Sequence, residues 1–319
     1  MCGPLKKNLQ SQPFLVLDGA FGTEIEKTGF SILDPLWSAV ALCRRPDLVR
    51  AVHQSYLEAG ADIITTASYQ ATVEGVMEKG YSAEEAVTVL QSAVTLAKEV
   101  RDDFWKAHHE TGRLRPLVAV SLSLYGAHLL NGTEYHGIYK ANEKTIADFH
   151  RKYLAMYAEA KPDLFAFETI PCLMEARAIK DALQGYPEGR AMVSFSCKDG
   201  AHTVSGDGIQ DCARLLDGVP QVAAVGVNCT APEYVVSLIG EIQKGTDKPI
   251  VVYPNSGETY DSVHRCWQGS ADSYQSYVKD WYGAGARIIG GCCRTTPGDI
   301  RAVRGVMERL QEGKTRALP

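Results

Sequence analysis

The chain has no apolar run near the roughly 20 residues that a membrane-spanning helix needs; its longest, such as 117–122 and 222–227, are strand-sized. It also lacks a basic block. With 33 Lys and Arg against 38 Asp and Glu the net charge is −5, so neither a nucleic-acid nor an anionic-membrane partner is expected. Residues 1–13 hold two lysines but no apolar core of a secretory signal, which points to a cytoplasmic protein. No CxxC or HExxH pattern occurs. No glycine-rich phosphate turn follows the first candidate strand, where Asp18-Gly19-Ala20-Phe21-Gly22-Thr23 stands instead. An even, regularly spaced cysteine set is absent as well. The nine cysteines are odd in number and irregular in spacing, so a disulfide framework is not expected, and burial or metal binding explains them better.

What is present is a repeated alternation. Short β-branched runs at 14–17, 62–66, 117–121, 164–167, 192–195, 222–227, 250–253 and 287–289 predict strands. Between and after them, amphipathic stretches at 46–59, 83–107, 142–160, 174–183, 208–216, 232–243, 271–283 and 297–311 predict helices. Pro46, Pro232 and Pro297 mark helix starts, and Gly60, Gly283 and Gly285 mark helix ends. Eight strand–helix units with continuously apolar strands imply a parallel sheet covered by helices. Without the phosphate turn of an open doubly wound sheet, the α/β class resolves to a single (β/α)8 barrel over residues 1–319. Short unstructured ends are expected at about 1–12 and 312–319, and longer loops at 122–140 and 255–270.

In such a barrel the strand ends share one mouth, where the chemistry of this fold is done. The residues that fall there are Asp18-Gly19, Thr65, Thr66 and Ser68, Glu168-Thr169, Asn228-Cys229, Asn255 and Gly290-Gly291-Cys292-Cys293. Cys229, Cys292 and Cys293 are therefore candidate metal ligands and the catalytic centre. Neighbouring cysteines on a regular strand point to opposite faces, and Gly290-Gly291 allows a sharp turn that brings both thiols inward. Three thiolates suit zinc and leave its fourth position open. Such a centre keeps a bound thiol deprotonated and electron-rich, which favours thiol alkylation over hydrolysis. Gly19, Ala20 and Phe21 can offer backbone N–H groups to an α-carboxylate, while Asp18 and Glu168 can accept from an α-ammonium. Thr66, Asn228 and Asn255 complete the expected substrate contacts. Rival readings are buried structural cysteines, a non-catalytic zinc-binding barrel, and a zinc hydrolase or lyase; the last expects a histidine ligand, and none lies beside the three cysteines.

These segments resemble the homocysteine S-methyltransferase family. The matching motifs are Leu17-Asp18-Gly19-Ala20-Phe21-Gly22-Thr23-Glu24, Pro35-Leu36-Trp37-Ser38, Ala59-Gly60-Ala61-Asp62, Tyr69-Gln70-Ala71, Phe167-Glu168-Thr169-Ile170-Pro171, Gly226-Val227-Asn228-Cys229, Tyr253-Pro254-Asn255-Ser256-Gly257 and Gly290-Gly291-Cys292-Cys293-Arg294-Thr295. The resemblance spans roughly 14–305. It implies the same barrel, zinc on the three cysteines, and carboxylates matching Asp18 and Glu168 at the homocysteine amino group. It also implies a stand-alone enzyme taking a methyl group from S-methylmethionine or S-adenosylmethionine to make methionine. Betaine as donor, or a selenocysteine or selenohomocysteine acceptor, are the alternatives on the same centre; oligomeric state is left open. The chain departs from the family at Ser121-Leu122-Ser123-Leu124-Tyr125-Gly126-Ala127, where a Gly and a Pro are replaced, and this bears on the donor. Tyr125, Trp37 and Trp267 are candidate aromatic faces for the donor cation.

Overall fold

The β-branched runs pair side by side in a single parallel ring. In the computed structural model, which describes residues 3–129, 133, 136–261, 266–268 and 274–316, ten strands form. They are β1 Leu15–Val16, β2 Ile63–Thr65, β3 Leu117–Leu122, β4 Leu164–Ile170, β5 Ala191–Phe195, β6 Val222–Asn228, β7 Ile250–Tyr253, β8 Thr259–Asp261, β9 Cys266–Gln268 and β10 Ala286–Ile289. Eight of them make one sheet in the order β1-β10-β7-β6-β5-β4-β3-β2, all neighbours parallel. Leu17 bridges Ile63 in parallel and closes the ring. The Asp18 N–H donates to the Ile63 carbonyl at 3.0 Å across the seam, and the Asp62 N–H to the Val16 carbonyl at 2.7 Å. The remaining pair, β8 and β9, is an antiparallel hairpin within the expected 255–270 loop.

Alternation along each strand sorts the apolar residues into two layers. Leu15, Leu17, Leu117, Ala119, Ala166, Met192 and Val251 fill the barrel interior. Their neighbours Val16, Ile64, Val118, Phe165, Val193 and Val252 face outward into the layer shared with the helices. Those helices are Pro46–Ala59, Ala83–His108, Glu143–Glu159, Leu173–Ala182, Ile209–Asp217, Val235–Gln243, Tyr274–Ala284 and Pro297–Arg316. Ser82 and Glu85 form a reciprocal capping box at the start of the second, and the Asn142 side chain caps the third. Among the described residues no helix is long and apolar enough to cross a membrane.

Four details differ from the sequence expectation. Pro232 opens a short 3-10 turn, Pro232–Tyr234, and the α-helix proper begins at Val235. Gly60 and Gly285 take left-handed φ of 106° and 128°, whereas Gly283 lies inside the last turn of its helix. The 122–140 loop contains a helical turn, Tyr125–Leu129. Both ends of the chain carry more helix than expected. Pro4–Ser11 is helical and the last helix runs to Arg316. The amino-terminal helix is too short to hold alone in water. It is fixed from outside: Leu5 is fully buried against the interior apolar cluster, and the Gln12 amide donates to Asp62 at 3.2 Å.

Candidate active site

With all eight strands parallel, their carboxyl ends deliver side chains to one face. Cys229 follows β6 directly, and Cys292 and Cys293 follow β10 after two glycines. Their sulfurs lie within 4.8 Å of one another, with Cys229 and Cys293 at 3.7 Å. In the two ligand-bearing loops the left-handed residues are Cys229 after β6 (φ 48°) and Arg294 after β10 (φ 67°), not Gly290 or Gly291. Gly290 and Gly291 serve a different purpose from the sharp turn expected of them. A Cβ on Gly290 would lie 2.6 Å from the Leu17 Cβ and 2.7 Å from the Asp18 carbonyl, and one on Gly291 would lie 2.3 Å from the Thr295 hydroxyl. Bare backbone lets the β10 end press against the β1 end, where the Gly291 N–H donates to the Asp18 carbonyl at 3.0 Å.

The thiols are electrostatically unequal. Cys229 is held well below the ordinary thiol range, chiefly by hydrogen bonds from Cys292 and Cys293, with a further one from Asn255, against the opposing effect of burial. Cys292 and Cys293 are pushed up, first because each shares its proton with Cys229. Three negative sulfurs this close are mutually destabilising unless a cation sits among them, and soft donors select a soft or borderline one. Tetrahedral zinc with Zn–S bonds of about 2.3 Å needs sulfurs about 3.8 Å apart, close to the Cys229–Cys293 spacing. The donor set fits a metal.

Next to the thiols stand two buried carboxyls. Asp18, at the end of β1, accepts from the Thr65 N–H at 2.7 Å and the Thr65 hydroxyl at 3.1 Å. Burial pushes its carboxyl well above the usual range, the nearby Glu168 adds to this, and the Thr65 hydrogen bonds oppose it. Glu168, in β4, accepts hydroxyl hydrogen bonds from Ser121 and Tyr253. Burial is the main cause that raises it to about 7, and the Cys292 charge adds to the rise.

The remaining sequence candidates divide. Asn228 is bound at both ends to Thr169, accepting its N–H at 2.8 Å and donating to its hydroxyl at 2.9 Å, with its amide 3.9 Å from the Cys292 sulfur. The Asn255 amide reaches Cys229, while its buried carbonyl oxygen has no hydrogen-bond partner among the described residues. Gly19 is covered by Tyr56 and Thr295, each within 3.0 Å of a Cβ placed there. Ala20 donates its N–H to the Thr295 hydroxyl at 3.2 Å and accepts from Tyr56 at 3.0 Å, so its backbone is already taken up and it is not free for the anion nest. Phe21 packs its ring 5.1 Å from His53 on the Pro46–Ala59 helix. Thr66 is turned into the wall: its hydroxyl lies 2.6 Å from that of Ser68 and accepts the Ser121 N–H at 3.1 Å. Thr65, not Thr66, meets Asp18. Tyr125 packs edge-on against Tyr139 and Phe149, whereas Trp37 stands edge-on to Tyr69 at 5.9 Å. The Trp267 side chain lies outside the described residues.

Sequence reasoning did not assign site roles to Ser121, Tyr253, Thr169 or Tyr69, whose hydroxyl shares a hydrogen bond with Thr169 beside the thiols. The available signal was position. Ser121, Thr169 and Tyr253 lie in the last two positions of β3, β4 and β7, where a polar side chain in an apolar run faces the mouth, whereas Tyr69 lies in the loop that follows β2.

Comparison with known proteins accords with this geometry. Residues 15–307 match the profile of the family described as homocysteine S-methyltransferase. The homocysteine S-methyltransferase YbgG of Bacillus subtilis is 45% identical over 303 residues, covering 94% of this chain and 96% of its own. A selenocysteine Se-methyltransferase of Brassica oleracea is 44% identical, covering 91% of this chain and 88% of its own. The metallated form of the homocysteine methyltransferase MmuM of Escherichia coli superposes with a TM-score of 0.85 at 38% identity, covering 95% of this chain and 99% of that one. The fold, the extent of the match and the three gathered thiols lead to one conclusion: the chain belongs to the homocysteine S-methyltransferase family, a family of methyltransferases.

Proposed function

We propose that the chain is a zinc-dependent homocysteine S-methyltransferase that takes its methyl group from a sulfonium donor, S-methylmethionine foremost and S-adenosylmethionine second, and releases methionine. The observation that carries the reading is the convergence of the Cys229, Cys292 and Cys293 sulfurs within 4.8 Å of one another, with the Cys229–Cys293 pair at 3.7 Å, close to the spacing of two sulfurs on a tetrahedral zinc. Zinc bound there supplies an open position at which a substrate thiol is held as thiolate.

The chain's own residues then fix the acceptor. Asp18 and Glu168 both sit buried with raised pKa, each partly because of a neighbouring negative charge, so an ammonium group placed between them relieves both. Thr65 orients Asp18; Ser121 and Tyr253 orient Glu168. In the transfer, the homocysteine sulfur forms the new bond to carbon as the carbon–sulfonium bond breaks. The bonding pair stays on the departing sulfur, which leaves as a neutral thioether. No general acid is needed, and positioning supplies most of the rate. A selenolate acceptor suits the same thiol centre, a reading favoured by the similarity to the Brassica enzyme. The seven free cysteines among the described residues suit a reducing, cytoplasmic setting.

The test is to incubate the zinc-loaded protein with homocysteine and each sulfonium donor and to follow methionine by mass spectrometry. Methionine from S-methylmethionine is expected. No methionine from either sulfonium would overturn the reading.

A further inference from the structure

The loop after β7 touches both ligand-bearing loops at once. From it, the Asn255 amide hydrogen-bonds Cys229, and the Ser256 N–H donates to the Cys293 carbonyl at 3.1 Å. In return, the Cys292 N–H donates to the Pro254 carbonyl at 2.8 Å. Past these backbone contacts the loop ends in a charged one. Arg294 Nε donates to Glu258 Oε2 at 3.0 Å, and the Ser256 hydroxyl donates to the same oxygen at 3.1 Å. Nothing in the methyl transfer uses Arg294 or Glu258.

Arg294 follows Cys293 directly and holds a φ of 67°. A residue with a Cβ seldom adopts that conformation, and it persists only where its surroundings hold it. Its backbone neighbour Thr295 is held by the Cys292 carbonyl, which accepts from both its N–H and its hydroxyl. The Arg294 side chain is tied instead to the β7 loop. Glu258 is 17% exposed and Arg294 37%, so the pair is partly shielded from solvent screening.

We infer that the Arg294–Glu258 ion pair is a positioning latch that holds the left-handed turn after Cys293 against the β7 loop and so sets how tightly the three-thiol centre holds its metal. This rests on the metal reading above. The ligands come from two loops, and the β7 loop is the part that bonds to both. Opening the latch frees the turn to relax toward ordinary backbone and moves the Cys293 carbonyl and sulfur away from the other two thiols. Outer contacts of this kind orient metal ligands and tune affinity.

The test titrates the metal-free full-length chain with zinc alone, reading the dissociation constant by competition with a chromogenic chelator. Thermal unfolding of each metal-free variant checks the fold. Arg294→Ala and Glu258→Gln each break the pair and leave the strained turn, and each is expected to weaken zinc binding by about 10- to 100-fold, the usual effect of losing an outer-shell contact. Arg294→Gly also breaks the pair but removes the strain, so its affinity should stay near that of the wild type. Arg294→Lys keeps the charge and should fall between. Wild-type affinity in Arg294→Ala and Glu258→Gln would overturn the latch alone, as would Arg294→Gly losing as much as Arg294→Ala. A wild-type chain that binds no zinc would overturn the metal reading and the latch with it.

Discussion

The Ser121 hydroxyl at the end of β3 donates to the Glu168 carboxylate in β4, and Tyr253 at the end of β7 donates to the same group. Three strands thus fix one buried carboxyl beside the thiol centre. The sequence shows Glu168 plainly, but its two hydroxyl partners are scattered over more than 130 residues and meet only because the barrel closes.

Glu168→Gln keeps the size and hydrogen-bonding ability of the side chain and removes its charge. Homocysteine binding to the zinc-loaded variant should weaken by about 1.5–3 kcal/mol, the range for a charge-assisted hydrogen bond, while zinc content is unchanged. Calorimetric titration with homocysteine reads this. An acceptor affinity equal to wild type would show that Glu168 does not hold the ammonium.

Gly290→Ala places a methyl group 2.6 Å from the Leu17 Cβ and 2.7 Å from the Asp18 carbonyl. Because backbone stands on one side, the contact cannot be relieved by turning a side chain. The variant should lose about 1–3 kcal/mol of stability, typical of overpacking, and should bind zinc less well. Denaturant unfolding tests the first part; an unchanged midpoint would mean that β1 and β10 need not approach so closely.

His53 is fully buried on the Pro46–Ala59 helix, with both ring nitrogens unpartnered among the described residues and Phe21 packed against it. Burial pushes its pKa down from 6.5 to about 3. The unfolded chain takes up a proton below pH about 6.5 that folded His53 refuses, so this contribution to stability is present above about 6.5 and lost as pH falls towards about 3. The loss amounts to a few kcal/mol in order of magnitude. His53→Phe should flatten the stability profile over that window relative to wild type. Parallel profiles for the two proteins would contradict the assignment.

The proposed sulfonium donor rests on charge together with leaving-group quality. Three thiolates leave a zinc centre with one net negative charge, which attracts a sulfonium and releases a neutral thioether. S-methylmethionine should give the highest kcat/KM at saturating homocysteine, S-adenosylmethionine a lower one, and betaine the lowest, since a tertiary amine leaves less readily. Betaine as best donor would refute the ordering and leave the thiol centre standing.

Much of the fold was legible because it rests on local pattern. All eight barrel strands lie within a few residues of their apolar runs, and the helix Pro46–Ala59 has the limits its proline and glycine set. The amino-terminal helix was not legible, because what holds it is Leu5 reaching the barrel interior, a contact with no local signal. At the site, the cysteines stood out by residue type. Thr65 and Thr66 could not be told apart, since neighbours on a strand face opposite ways and the sequence does not say which faces in. Gly290 and Gly291 were rightly marked as special, but for turn geometry when the cause is close approach of two strand ends.

The most direct test of the account is the metal itself. Elemental analysis of the purified chain should find about one zinc per chain, with activity lost on chelation and restored by zinc. Cys229→Ser, Cys292→Ser and Cys293→Ser should each abolish activity while leaving the barrel folded. Full methyltransferase activity in a chain stripped of metal would contradict the central claim.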